Sequence, residues 1–417
     1  MTFTVNDIFR EYKYAFLKKY GPGLLPEKLA TLNALVACRT PDLGYRIQKC
    51  DCCGTEVTLL NSCRNRHCPL CQNTKREAWL LARKSELPPV PYFHVVFTVP
   101  HILKQIFFNN KSFMYSLLFK AVADTLFFLL RDPKYLGADP GFIATLHTWG
   151  QTMIHHPHLH CLVPAGGLSA DHKSWIPIKY NDYLMPVKVI SKKFSEIFSN
   201  LLLERFLDKN QAQLNFNDKN QYLNNPEKFQ NFIESLKNRK WVVYSQKPAD
   251  NPNAVVNYLG RYVYRVAIAN SRIQKVENGG VLFTYKDYRD DKQKNLDLSA
   301  LEFMRRFLLH ALPAGFQKIR YYGFLANNQK KSACAAIRKS IGWTLDASKS
   351  ALDFINAQES PLAASADFFK DDKLNKCPQC EKGRLFTTIV VLPTRYICVF
   401  KTIKTKYFDD PRFKRGP

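Results

Sequence analysis

The sequence predicts an α+β fold, and three observations lead to that class. Segments with helical periodicity alternate with short β-branched and aromatic runs bounded by proline or glycine, as expected for a mixture of helices and strands. Two Cys-x2-Cys pairs near the N-terminus indicate a metal-stabilised domain. The last part of the chain is basic and less regular. We therefore predict three domains, at residues 1–90, 91–300 and 301–417.

The composition favours a folded protein with a polyanionic partner. Hydrophobic residues make up 46% of the 417 residues, which is enough apolar material for two or three packed domains. The formal net charge of +26 suits a long polyphosphate better than a small acidic metabolite. Anionic membranes and ribosomes also attract basic proteins, so charge alone does not identify the partner.

Nothing in the sequence predicts a membrane span or a secretory signal. The most apolar long stretch, residues 113–130, is interrupted by Lys120 and Asp124 and falls short of the roughly 20 uncharged residues that a bilayer requires. We interpret it as a buried amphipathic helix. The N-terminus carries acidic residues early and lacks the basic-then-apolar layout of a signal peptide. We expect a cytoplasmic protein with no membrane partner.

The predicted elements follow in a clear order. Residues 1–37 form two helices separated by Gly21-Pro22-Gly23, and residues 75–86 form a helix that the proline-rich segment 88–91 ends. Residues 208–230 are rich in Asn, Gln and Lys and are predicted to be a polar insertion. The predicted strands are 92–100, 141–150, 156–169, 241–246 and 281–290, the further helices are 103–131 and 252–267, and residues 301–322 form a basic amphipathic block.

The cysteine pairs predict a structural zinc site. Two Cys-x2-Cys knuckles separated by 14 residues are the usual layout of a tetrahedral site, because each knuckle delivers two thiolates to one side of the ion. Four protein ligands leave no open coordination position, so this site would support DNA binding rather than chemistry. A redox pair or chance spacing is the alternative. The predicted ligands are Cys50, Cys53, Cys68 and Cys71, and Cys63 and His67 could replace a ligand or hold a second ion.

Two further features accompany this cluster. Basic side chains surround the second knuckle and are predicted to contact DNA, namely Arg64, Arg66 and Arg76. Cys377 and Cys380 form another Cys-x2-Cys knuckle with no obvious partner in the sequence. For this pair, zinc binding and two free thiols remain open alternatives.

A His-x-His pair predicts a second metal site. On a β-strand, His158 and His160 project from the same face while Leu159 enters the opposite, apolar side. This geometry can chelate one divalent ion, although isolated pairs of this kind also occur by chance. The upstream strand containing TLHTWGQT could supply a further polar ligand across the sheet.

Two tyrosines share one face of a predicted helix. Tyr258 and Tyr262 are four residues apart, so both phenols lie on the same side. Packing or surface tyrosines are the alternative reading. Arg261 and Arg265 belong to a stretch in which no acidic residue opposes the basic ones, so we expect this helix to meet phosphate.

These features together resemble the HUH endonucleases, in which a His-hydrophobic-His strand carries a metal ion and a nearby helix carries a nucleophilic tyrosine. HVVFTVP, HPHLHCLV and YLGRY resemble the three successive motifs of rolling-circle initiators, in the same order. The chain is most similar to the two-tyrosine transposases of bacterial insertion sequences, the "insertion sequence ninety-one" type. SCRNRHCPLCQ, LHTWGQTMIHHPHLHCLVPAGGLS and RRFLLHALPAGFQKIRYYG also look like signatures of that family, and the likeness covers about residues 35–330.

The resemblance implies specific roles. His158 and His160 would bind Mg²⁺ or Mn²⁺, with Gln151 as the first choice for a third ligand and His155 and His156 as rivals. Tyr258 and Tyr262 would be the nucleophiles that form 5′-phosphotyrosine links with single-stranded DNA at the ends of the element and in target DNA. The sequence has no GxxxxGK[ST] loop, so we expect a host helicase to unwind the DNA of this nucleoid-associated protein.

Three other functions compete with this reading. A plasmid rolling-circle replication initiator would use the same site, and a non-catalytic zinc-finger DNA-binding protein would use the histidines and tyrosines structurally. A zinc hydrolase would need a general-base carboxylate, which the His-x-His strand lacks before Asp171. For the nuclease we expect an antiparallel sheet flanked by helices, with the histidines on a central strand.

Overall fold

The protein combines helices and antiparallel sheets, as the sequence predicts. The structure is a computed structural model that describes residues 3–72, 86–180, 183–208, 210, 214–217, 219–249, 260, 264–343 and 376–393. The described helices are α1 (Val5–Tyr20), α2 (Pro26–Ala37), α3 (Lys104–Asn109), α4 (Lys111–Arg131), α5 (Val187–Leu207), α6 (Pro226–Lys237), α7 (Ala300–Leu308) and α8 (Lys330–Ser340). The described strands are β1 (Tyr45–Cys50), β2 (Glu56–Leu60), β3 (Tyr92–Thr98), β4 (Gly141–Trp149), β5 (His155–Pro164), β6 (Gly166–Leu168), β7 (Trp175–Pro177), β8 (Val242–Ala249), β9 (Ile273–Glu277), β10 (Gly280–Asp287), β11 (Lys292–Ser299), β12 (Ile319–Gly323) and β13 (Leu385–Val391).

A five-stranded antiparallel sheet forms the centre of the molecule. Its strand order is β12-β4-β5-β3-β8, so β5, which carries the His-x-His pair, is the middle strand. The prediction of an antiparallel sheet with the histidines on a central strand is confirmed. Its middle position gives β5 a hydrogen-bonded neighbour on both sides, which fixes the direction of its side chains.

One face of this sheet is apolar and the other carries the histidines, because side chains alternate along each strand. Leu159, Cys161 and Val163 of β5 point into the main apolar core, which α4, α5 and α6 complete. The opposite face carries His158 and His160. The alternation that the sequence predicts therefore separates the apolar face of the sheet from the face that presents polar ligands.

Helix α4 contains the apolar stretch noted in the sequence. Among the described residues, it is the one helix with the length and apolar composition that a membrane span needs. Most of it is buried inside the protein, where it packs against α5 and belongs to the main core. Lys120 pairs with Asp124 on its exposed side, at 2.8 Å. The predicted buried helix is confirmed.

A second core joins the N-terminal helices to a later part of the chain. Apolar residues of α1 and α2 pack with those of the three-stranded sheet β11-β10-β9 and of α7. Phe9 and Phe307, for example, meet edge to face with ring centroids 5.4 Å apart. The N-terminal helices are thus anchored on residues that follow the central sheet in sequence.

Two strands from the C-terminal third also pair with earlier ones. β12 borders β4 in the central sheet, and β13 pairs antiparallel with β1 to make the sheet β13-β1-β2. The domain boundaries near residues 90 and 300 remain a proposal. Strand pairing crosses both of them, so neighbouring parts of the chain share sheets.

Candidate functional site: a histidine centre and two cysteine clusters

Three histidines converge on one face of the central sheet. His158 and His160 come from β5, and His147 comes from the adjacent strand β4, where it pairs directly with His158. One nitrogen from each ring lies within 4.8 Å of the others. Three imidazoles at this spacing can ligate a single metal ion.

Hydrogen bonds outside this group orient two of the rings. Nδ1 of His158 donates to the carbonyl of His156 at 2.7 Å, which leaves Nε2 free to act as a ligand. Nδ1 of His160 lies 2.8 Å from Nε2 of His94 on β3. His94 in turn hydrogen-bonds Gln246, its partner on β8. Such outer contacts are typical of metal-binding histidines, because they fix the tautomer and the direction of the ring.

The charge state of the histidines also suits metal binding. Burial lowers the pKa of His158 to about 3 and holds the pKa of His160 well below its ordinary value. Both rings are therefore neutral near pH 7, the form that ligates metals. Thr145, opposite His160 in the β4–β5 ladder, has a buried hydroxyl with no hydrogen-bond partner among the described residues. An unpartnered polar atom beside the rings is consistent with a bound ion or its water shell.

The three residues predicted as a third metal ligand lie outside this group of converging histidines. Gln151 follows β4 in the turn, and its side-chain amide donates to the Tyr288 hydroxyl at 2.6 Å. His155 is buried with Nε2 2.9 Å from the Tyr115 hydroxyl. The His156 ring is tilted against that of His158, with centroids 5.2 Å apart, and is outside the group of converging nitrogens. The sequence analysis proposed a further ligand from the segment TLHTWGQT and preferred Gln151, whereas the structure brings His147 of that segment next to His158 and His160.

Side chains from later parts of the chain hydrogen-bond the turn that joins β4 and β5. The carbonyls of Gln151, Thr152 and Met153 accept hydrogen bonds from three buried or half-buried side chains of the second core. The donors are Arg272 at 2.6 Å, Arg306 at 3.2 Å and His310 at 3.0 Å. These contacts restrain the end of the hairpin, and hence the relative position of the ligands.

The cysteines form two clusters. Cys38, Cys63, Cys68 and Cys71 make one, and Cys50, Cys53, Cys377 and Cys380 make the other, with the sulfurs of each within 4.8 Å of one another. The predicted grouping of Cys50, Cys53, Cys68 and Cys71 in one site is therefore wrong. The reason is the β1–β2 hairpin, in which Lys49 pairs with Glu56 at the tip and Tyr45 with Leu60 at the base. The first knuckle lies at the tip, whereas the chain leaves β2 toward Cys63 at the base, about 16 Å away along the strand.

The first cluster lies in the second core. Its sulfurs are separated by 3.6 Å for Cys38 and Cys71, for Cys63 and Cys71, and for Cys38 and Cys68. Buried Asn6 on α1 lies with Nδ2 3.5 Å from the sulfur of Cys68 and 2.8 Å from the carbonyl of Leu35, which it bonds. The cluster therefore connects α1, the end of α2 and the Cys68 knuckle.

The chain matches two protein families and is similar to two known transposases. Residues 8–99 match the family described as "Transposase zinc-binding domain", and residues 141–333 match the family described as "Putative transposase". The chain is 41% identical to "Putative transposase y4qJ" of Sinorhizobium fredii over 92% of this chain and 94% of that protein. It is 30% identical to "Transposase for insertion sequence element IS801" of Pseudomonas savastanoi pv. phaseolicola, over 78% of this chain and 75% of that one.

The chain belongs to the IS91-type transposases. No solved structure matches it significantly. The first cysteine cluster and the histidine centre of the transposase lie within the two matched ranges. Together, the matched zinc-binding domain and the cysteine clusters support structural zinc in this protein.

His67 and Arg66 of the transposase have structural contacts. Nε2 of His67 accepts the backbone N–H of Leu312 at 3.3 Å, and His67 is not a member of either cluster. The Arg66 guanidinium donates to the carbonyls of Pro313, at 2.6 Å, and Phe316. These donors are occupied inside the protein, so Arg66 supports the loop after α7 rather than presenting a free fork to DNA.

Arg265 is the predicted DNA-binding residue that lies at the histidine centre. Burial is the main cause of the low pKa of His158 and His160, and the charge of Arg265 makes a smaller contribution in the same direction; the Arg265 side chain is exposed. Its backbone carbonyl accepts a hydrogen bond from Lys318 at 2.9 Å, and the Lys318 ammonium also lies over the Trp149 ring. An exposed guanidinium whose charge reaches the histidine group can bind a phosphate there.

The remaining predicted residues of the transposase divide into two groups. Arg64 is described and exposed, in a left-handed backbone conformation with φ of 53°. The predicted nucleophiles and two of the predicted DNA contacts lie outside the described residues, namely Tyr258, Tyr262, Arg76 and Arg261.

Proposed function

We propose that this transposase cleaves and rejoins single-stranded DNA with tyrosine nucleophiles at the histidine centre, in a rolling-circle reaction. The observation that carries the proposal is the convergence of His147, His158 and His160 on the central strands. The sequence adds support, since Tyr262 is only three residues from Arg265, whose charge acts at that centre.

The donor set fits a divalent transition metal. Three histidine rings would provide nitrogen ligands, a set that favours Mn²⁺ over Mg²⁺, which prefers oxygen. No carboxylate belongs to the group, so the phosphodiester itself would supply anionic oxygens. When bound, the metal would polarise the scissile phosphate and orient it for attack.

The side chains have complementary tasks in this step. The histidines would keep the phosphate next to Arg265, whose guanidinium would offset its charge. A tyrosine hydroxyl would give its proton to a water molecule as its oxygen attacks phosphorus. The bond from phosphorus to the 3′ oxygen would break, and that oxygen would take a proton from water and leave as a 3′-hydroxyl. The product is a 5′-phosphotyrosine, which retains the bond energy for rejoining.

Two tyrosines would allow two such links in one reaction. While Tyr258 or Tyr262 holds one end of the element, the other can cleave a second strand, either of the element or of target DNA. The rejoining steps need no ATP, but the strands must first be separated. We propose that a host helicase on the nucleoid provides that separation.

The competing functions are less well supported. The relatives named above are transposases, which favours movement of an element over plasmid replication initiation. A non-catalytic zinc-finger protein would not need three histidines on one face of a sheet, two of them with rings oriented by hydrogen bonds.

The test is covalent adduct formation on labelled single-stranded DNA carrying the ends of the element, with Mn²⁺ or Mg²⁺. The expected result is a metal-dependent protein–DNA adduct in the wild type, a reduced yield in Tyr258→Phe and Tyr262→Phe, and none in the double variant. Tyr264→Phe is the matched control and should retain the adduct. Wild-type protein that binds the DNA but forms no adduct with any metal would refute the nuclease.

A further inference from the structure

The second cysteine cluster joins two distant parts of the chain. Cys50 and Cys53 lie at the tip of the β1–β2 hairpin, and Cys377 and Cys380 lie just before β13. The latter pair is outside residues 8–99, the range that matches the zinc-binding family. We propose that this cluster binds a second structural zinc ion, which fastens the β13 segment to the N-terminal domain.

The sulfur positions fit a tetrahedral ion. A regular tetrahedron with zinc–sulfur bonds of about 2.3 Å has sulfur–sulfur edges of about 3.8 Å. The sulfurs of Cys50 and Cys380 are 3.7 Å apart, and those of Cys53 and Cys377 are 3.6 Å apart. A disulfide would bring a pair to about 2 Å, so the spacing is that of ligands around a shared centre.

The two knuckles have matching backbone geometry. In the first, the N–H of Gly54 donates to the carbonyl of Cys50, and in the second, the N–H of Glu381 donates to the carbonyl of Cys377. Gly54 and Glu381 both have positive φ, 74° and 56°. This repeated turn directs two sulfurs of each knuckle to one side, as a metal knuckle requires.

Backbone N–H groups also point at the sulfurs. Those of Cys52 and Gln379 lie 3.4 Å from the sulfurs of Cys50 and Cys377, and that of Gly383 lies 3.3 Å from the sulfur of Cys380. Donors of this kind stabilise thiolates, the form that binds metal. These N–H groups would therefore offset part of the negative charge of thiolates bound to an ion in each knuckle.

The segment between the second knuckle and β13 is shaped to the first knuckle. A side chain at Gly383 would overlap the sulfur of Cys50, so only glycine fits. Asp51 accepts the backbone N–H of Arg384 at 2.7 Å, and the N–H of Asp51 donates to the Arg384 carbonyl at 3.1 Å. From there, β13 pairs antiparallel along β1, with one register shift between Ile47 and Gln48. The knuckles thus form one interface with the sheet.

The first test is metal content of the full-length protein. We expect the wild type to hold one zinc ion more per chain than the Cys377→Ser/Cys380→Ser variant, whether or not the histidine centre also takes zinc. Cys52→Ser is the matched control, because its sulfur neighbours the cluster without belonging to it, and it should keep the wild-type zinc content. Equal zinc content in the wild type and the double variant, or iron in place of zinc, would overturn the proposal.

A second test needs no variant that could misfold. Cys52 and Cys53 are both exposed, but only Cys53 belongs to the cluster. Brief alkylation of the wild type, read by peptide mass spectrometry, should label Cys52 and spare Cys53, Cys377 and Cys380. After chelation, these three should become reactive together. Labelling of Cys53 as fast as Cys52 before chelation would overturn the proposal.

Discussion

His310 gives a quantitative prediction about stability and pH. It is 2% exposed, with Nε2 donating to the Met153 carbonyl and Nδ1 accepting from the Thr148 hydroxyl at 3.1 Å. Burial lowers its pKa to about 3, whereas an unfolded histidine titrates near 6.5. The neutral ring therefore contributes stability that is complete above pH 6.5 and is lost as the pH falls toward 3, because only the unfolded chain takes up the proton.

The size of the effect follows from these two pKa values. Between pH 7.5 and pH 5.5, the proton uptake by unfolded His310 should lower the free energy of unfolding by about 1.4 kcal/mol. His310→Gln removes the titrating group, so the loss over this interval should be about 1.4 kcal/mol smaller than in the wild type. The comparison between proteins cancels the pH response of the cysteine clusters, which both retain.

Urea unfolding at the two pH values measures this difference. Leu308→Ala is the control. It removes a buried, non-titrating side chain two residues before His310 and should lower the free energy of unfolding equally at both pH values. If His310→Gln and the wild type lose the same free energy between pH 7.5 and pH 5.5, His310 is not held neutral and the assignment of its hydrogen bonds is wrong.

Three further predictions concern positioning, DNA binding and the sheet. His94→Phe removes the hydrogen bond to the His160 ring and should weaken Mn²⁺ affinity about 10- to 100-fold in a titration, with a smaller loss in His94→Gln. Equal affinity in the wild type and both variants would contradict this role. Arg265→Ala should reduce the salt dependence of single-stranded DNA binding by about one phosphate contact. Arg66→Ala should lower the unfolding midpoint and leave that salt dependence unchanged. The reverse pattern would contradict the structure. Gly323→Ala should reduce soluble folded protein, since its φ is +57° and a Cβ would overlap the Pro140 carbonyl oxygen; normal thermal unfolding of this variant would show that the β12–β4 edge can adjust.

The sequence predicts local features of this fold well. Alternation places His158 and His160 on one face and Leu159 on the other, and this depends only on the geometry of a strand. Lys120 and Asp124, which interrupt the apolar stretch 113–130, likewise indicate a buried helix rather than a membrane span. Such features are determined by residues within a few positions of one another.

Features that depend on distant pairing were not predictable in the same way. The third histidine comes from β4, and its alignment with β5 depends on a hairpin turn in which Met153 has φ of 57° and on a register shift between His147 and Trp149. A sequence does not reveal either. Nearness in sequence to the histidine pair therefore favours Gln151, with His155 and His156 as rivals, and does not single out His147.

The cysteines illustrate the same limit. Spacing identified the knuckles, but it could not reveal that β2 turns back along β1 and separates them. Cys38 stands alone in the sequence, and Cys377 lies 324 residues after Cys53, its neighbour in the cluster. Ligand types were visible in the sequence, whereas their grouping required the strand pairing of the folded chain.

The most direct test of the histidine centre compares His147→Ala with Gln151→Ala. Mn²⁺ binding, followed by electron paramagnetic resonance, and covalent adduct formation with single-stranded DNA should be measured on the same samples. We predict that His147→Ala loses both and that Gln151→Ala retains both, with the same Mn²⁺ dependence for binding and for adduct formation. Full binding and adduct formation in His147→Ala would contradict the three-histidine centre.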